Sequence, residues 1–140
     1  MNPKLRALLS VLGGVIAGSF IILGAEMLSP FHPPADMNYN DRATMGACVK
    51  TLPMSAFLFL LMAYLLGSLV AGYITNWLSR PTHYRPALIA GTSFMASGFA
   101  NLIDIPHPIW FGIVSSLVFL AGAWVGGKVA VNGEKIGEER

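Results

Sequence analysis

Charge is the scarcest ingredient of this 140-residue chain. Lys, Arg, Asp and Glu make up 11% of it, against 54% hydrophobic residues. A soluble domain carries roughly 25% charged residues, so a water-exposed fold would lack polar material to cover its surface. The net charge of +2 gives no basic face for nucleic acid, and no nucleic-acid partner is expected. Cys48 is the only cysteine, which excludes a disulfide within one chain, a cysteine-based metal site and a CxxC redox pair. The short signatures of chemistry are missing too. There is no HExxH, no nucleophile motif and no phosphate loop, and GVIAGS from Gly14 is not a GxGxxG following a strand. The chain reads as non-enzymatic, with no cofactor.

What is present is long and apolar. Residues 7–25, 51–79, 86–103 and 105–127 hold no Lys, Arg, Asp or Glu, giving runs of 19, 29, 18 and 23 residues. A helix needs about 20 mostly apolar residues to cross a hydrocarbon core of about 30 Å. In lipid only helices and closed barrels satisfy their own backbone, and these runs lack the alternation of barrel strands. The first run is too long for the apolar part of a signal peptide and lacks an A-x-A cleavage pattern near Gly24 and Ala25, so it reads as a span. The sequence therefore predicts an all-α transmembrane four-helix bundle, with spans at about 5–29, 54–78, 86–103 and 106–131, in one membrane domain over 1–131. The bilayer is its first partner.

Lys4, Arg6, Arg80, Arg85, Lys128, Lys135 and Arg140 fall on the side of the termini, and only Arg42 and Lys50 on the other. The positive-inside rule then puts both termini in the cytoplasm. Trp77 and Trp110 fall where an interface belt should lie. SRPTHYRP, residues 79–86, reads as a short polar turn, and DIPHP, residues 104–108, as a tighter one, with Pro106 and Pro108 suited to a first helical turn. In the long outer connection, 30–53, Asp41 is a suitable N-cap. Met45, Cys48, Val49 and Leu52 then recur at helical spacing, predicting a short helix lying on the membrane. Residues 132–140 read as a solvated cytoplasmic tail.

LLGSLVAGYI, residues 65–74, aligns without gaps on LAGAWVGGKV, residues 120–129. The first and third spans each end near an acid followed by His-Pro. A duplicated two-helix hairpin would explain this, with a pseudo-axis along the membrane normal; shared small-residue composition is the alternative. Small residues recur four apart, including Gly14 and Gly18, Gly67 and Ala71, and Gly122 and Gly126. Such spacing lets helix backbones approach closely where lipid gives no hydrophobic drive. It serves contacts within the chain or with another chain, so a second copy or another membrane protein is a candidate partner.

An ionisable group at membrane depth is expensive and so a functional candidate. Glu26 closes the first span. Asn101 and Asp104 end a polar stripe that begins at Ser93 and Ser97, and His107 follows. Glu26, Asn101, Asp104 and His107 form the candidate polar cluster. Glu26 is expected to bond His107 or the 42–50 stretch, and Asp104 can cap the fourth span. No ligand spacing supports a metal there.

Glu26 closing the first span, Leu52-Pro53 opening the second and IPHPIWF, residues 105–111, opening the fourth resemble a group of small four-span bacterial inner-membrane proteins. The resemblance covers residues 5–131. It implies a fold and a location, and transfers no catalytic residue. The expected role is an accessory, scaffold or oligomeric membrane subunit; the alternative is a minimal proton, ion or small-solute transporter or channel acting as an oligomer.

Overall fold

Apolar runs of this length leave the backbone no partner but itself, and each folds as one helix. The computed structural model describes residues 2–138 other than 33, 39 and 81–83, with side chains as far as residue 133. Five helices follow in order: α1 Pro3–Met27, α2 Arg42–Thr51, α3 Met54–Ser79, α4 Arg85–Asp104 and α5 Ile109–Glu138. No strand occurs among the described residues. All but α2 are long and apolar enough to cross a bilayer. The protein is an all-α, multi-pass integral membrane protein built as a four-helix bundle.

Burial differs from that in a soluble bundle. Leu8, Leu12, Ile16, Phe20 and Leu23 stand exposed along α1, and Ile109, Ile113 and Leu117 along α5. Ser68, Thr75 and Asn76 are fully buried, as are Ala71, Ala87, Ala90 and Ala123. In water such faces would drive aggregation; in lipid the large side chains meet acyl chains, and small ones let backbones close.

The helix ends follow local chemistry. Asn2 accepts from the Lys4 N–H at 3.0 Å ahead of Pro3. Asp41 caps α2, accepting from the Ala43 N–H at 3.1 Å and from the Thr44 hydroxyl. Arg80 ends α3 in the left-handed region at φ 46°, and Arg6 Nε reaches across from α1 to the Leu78 carbonyl at 3.0 Å.

Two ends differ from the sequence reading. Pro106 and Pro108 precede α5 instead of forming its first turn, and the Pro108 carbonyl accepts the Phe111 N–H at 3.0 Å. Asp104 is the last residue of α4 and does not cap α5. The helix also continues through 132–138, where a tail was expected. An interior Gly costs only about 1 kcal/mol relative to Ala, too little for Gly133 to stop a helix already propagating. The expected turn at 79–86 falls partly on 81–83, outside the described residues.

α3 and α5 form the most extensive pair. They run parallel: Gly122 abuts Ser68 and Leu65, Gly72 abuts the Ala123 backbone, and Gly126 abuts Leu69 and Tyr73. A Cβ on any of these glycines would collide with its neighbour. α1 lies antiparallel on α3, with Gly14 against Thr75 and Ala71. A Cβ on Gly18 would come within 2.5 Å of the Gly67 carbonyl and 2.9 Å of Ala71 Cβ. Gly14, Gly18, Gly67, Ala71, Gly122 and Gly126 are thus all buried where helices touch.

Residues aligned between 65–74 and 120–129 therefore meet in near register. The likeness does not extend to the outer helices. α4 packs on α5, α3 and α1, whereas α1 and α5 form no extensive pair among the described residues.

Asn76 ties three helices together. Its side chain is 1% exposed. Nδ2 donates to the Gly127 carbonyl of α5 at 3.1 Å, and Oδ1 accepts from the Ala87 N–H of α4 at 3.1 Å. That N–H lies in the first turn of α4, which has no cap from its own flanking residue. An orphan donor of the kind every helix start leaves is met from a neighbouring helix.

Candidate functional site

Helical spacing puts Ser19, Ile22, Leu23 and Glu26 on one face of α1, since residues three, four and seven apart share a side. The same rule groups Phe94, Ser97, Gly98 and Asn101 on α4. The structure sets these faces opposite each other, with Tyr64 of α3 and Phe119 of α5 as the floor, around an open cleft of 330 Å³. Tyr64 stacks on Phe119 at 4.8 Å between ring centroids, and Phe119 on Phe94 at 5.7 Å. Ser97 is seven residues from the end of α4, so at 1.5 Å per residue the cleft reaches about 10 Å below that end.

The four cluster residues do not share one site. Glu26 and Asn101 line this cleft. Asp104 lines an adjoining one with Asn40, Arg42 and Met45, where Asn101 also appears. His107 points elsewhere. Its Nδ1 lies 2.9 Å from the Ile105 carbonyl in its own turn, its ring stacks on Phe111 at 5.3 Å, and it lines a small apolar cleft beneath α2 with Cys48 and Val49.

The expected bond from Glu26 to His107 or to the 42–50 stretch is not made. Among the described residues the Glu26 carboxylate has no hydrogen bond and no salt bridge. The cause is where α2 lies. Val49 packs with Phe57 and Phe111, and a Cβ on Gly46 would stand 2.6 Å from Pro106 Cγ. Burial of these apolar groups draws α2 over α3 and the start of α5, away from the end of α1.

The carboxylate is therefore about half-buried and faces hydroxyl and amide groups with no cation among them. The Tyr64 phenol lies within its electrostatic reach. Among the described residues no three His, Cys, Asp or Glu side chains come close enough to hold a metal ion. Among the described residues the one shifted acid outside the spans is Asp41. The Thr44 hydroxyl and then the Ala43 N–H hold its carboxyl below the usual range.

The polar stripe on α4 divides. Ser93 bonds back to the Ile89 carbonyl at 2.9 Å, while Ser97 and Asn101 enter the cleft. Sequence reasoning passed over Ser19, Tyr64 and Asn76. Ser19 was accessible, lying seven residues before Glu26 on the same face. Asn76 also carried a signal, the cost of an amide inside a charge-free run. Tyr64 carried no such signal, because the rotation of α3 is set by packing alone. No protein-family model, no curated protein and no solved structure matches this chain.

Proposed function

We propose that this protein is a non-enzymatic subunit of a bacterial inner membrane, with both termini in the cytoplasm, that works by lateral association with itself or another membrane protein. The observation that carries the reading is the seal across the half of the bundle nearest the termini. Ala71, Ala87, Ala90 and Ala123 have no exposure, and the glycine contacts bring backbones together at the same level. Small residues also point outward: Thr92, Ala96 and Ala100 are exposed four apart on α4, the spacing at which a further helix can approach closely. The orientation draws on the seven-to-two distribution of Lys and Arg, and the location on the resemblance carried by Glu26 and IPHPIWF.

Extraction in mild detergent, followed by sizing and mass spectrometry of whatever copurifies, tests this. A stable homo-oligomer or a stoichiometric membrane partner is expected, with Ala96→Leu weakening it. A monomer with no partner, and no effect of Ala96→Leu in crosslinked membranes, would overturn the reading. The alternative, an oligomeric transporter or channel, would be favoured by flux in proteoliposomes that disappears with Glu26→Gln.

A further inference from the structure

We propose that the cleft between α1 and α4 binds the primary ammonium headgroup of an aminophospholipid, with the Glu26 carboxylate as its counter-ion. Lateral association is not required for this.

The polarity of the cleft follows one axis. Glu26 is in the last turn of α1, at the level where headgroups meet hydrocarbon. Beneath it Ile22, Phe94 and Phe119 make an apolar slot extending about two helical turns. An occupant must therefore be cationic at one end and apolar below, in the posture of a lipid in that leaflet. Access is from the bilayer: Leu23, which lines the cleft, is 55% exposed.

Charge settles the headgroup. A carboxylate at this depth is costly without a compensating cation. The only cation in the adjoining cleft, Arg42, shares that cleft with Asp104. Ser97 and Asn101 also line the cleft, and their oxygens can accept from the same donor. Several acceptors around one anion call for a cation with several N–H donors, which a primary ammonium has and a trimethylated one lacks. A headgroup of net negative charge would be repelled, whereas a zwitterionic one can present its ammonium to Glu26 and leave its phosphate at the open face of the cleft.

Full-length protein in nanodiscs of equal parts phosphatidylethanolamine, phosphatidylcholine and phosphatidylglycerol, re-extracted and analysed by native mass spectrometry, tests the proposal. Wild type should retain phosphatidylethanolamine in preference to the other two, and Glu26→Gln should lose that preference by about tenfold, as for the loss of one charge-assisted hydrogen bond. Asp36→Asn, in the loop, should behave as wild type. Ser97→Leu keeps the carboxylate but fills the slot, and should also release the lipid; it serves if Glu26→Gln does not give a monodisperse, helical protein. Unchanged retention in a folded Glu26→Gln or Ser97→Leu would overturn the proposal, as would phosphatidylcholine or phosphatidylglycerol held equally well by wild type. Carbodiimide coupling of Glu26 to a lysine of a second copy in native membranes would also overturn it, because that cation would then occupy the cleft.

Discussion

Asn76→Ala is the most direct probe of how this bundle is held. The substitution removes a side chain that is 1% exposed and deletes two bonds of 3.1 Å. They are not equivalent. The Gly127 carbonyl sits within α5 and keeps its helical partner, so losing Nδ2 there costs an ordinary interhelical bond, about 0.6 kcal/mol on average in a membrane bundle. Among the described residues the Ala87 N–H has no second acceptor; it lies in the first turn of α4 and its residue is fully buried. Leaving that donor unmet costs about 1–3 kcal/mol. The expected total is about 2–4 kcal/mol with the small cavity included. Reversible unfolding in mixed micelles, followed by circular dichroism, measures it. Ser93→Ala is the comparison: that hydroxyl bonds only the Ile89 carbonyl of its own helix, so the change should stay within about 0.5 kcal/mol. An Asn76→Ala protein as stable as Ser93→Ala would refute the reasoning, because the Ala87 N–H would have found another acceptor.

Other outcomes follow from the same geometry. Gly18→Leu and Gly67→Leu should each destabilise the bundle by at least about 1–3 kcal/mol through overpacking, whereas Gly24→Leu should be neutral because a Cβ there meets nothing within 4 Å; equal effects at all three sites would remove the packing argument. Cys48, half-buried on α2, should react slowly with a membrane-impermeant maleimide in intact cells, and labelling only after the membrane is broken would reverse the proposed orientation. The Asp41 cap has a depressed carboxyl pKa, so its contribution to α2 is complete above the usual aspartate range and is lost as pH falls through the lowered value. Protection against hydrogen exchange across 42–51, corrected for the intrinsic pH dependence of exchange, should fall in that acid window for wild type and be low throughout in Asp41→Ala; a loss of protection near neutral pH would contradict the assignment.

The legible parts of this molecule are those decided within a few residues. The four spans came from gaps in charge, since a bilayer admits no long charge-free segment except as a self-satisfied helix. The α2 start came from Asp41, whose oxygen reaches the Ala43 N–H whatever the rest of the chain does. Small residues four apart on α1, α3 and α5 lie on the faces that touch, because spacing along one helix is fixed by its own period. The ends of α5 were less legible: Pro106 and Pro108 fit either a first turn or the connection before it, and only the placement of that connection selects one.

What the tertiary structure alone decided is which face meets which. Glu26 and His107 looked like neighbours by level, yet burial of Val49 against Phe57 and Phe111 carried α2 and the start of α5 away from the end of α1. Tyr64 entered the cleft only because Gly67 and Gly72 fixed the rotation of α3 between α1 and α5. Asn76 gained its role because α4 begins beside the last turns of α3. The period of a helix is a property of its own residues, whereas its rotation and depth relative to its neighbours are properties of the pair, settled by dispersion and by polar groups that must find partners outside water.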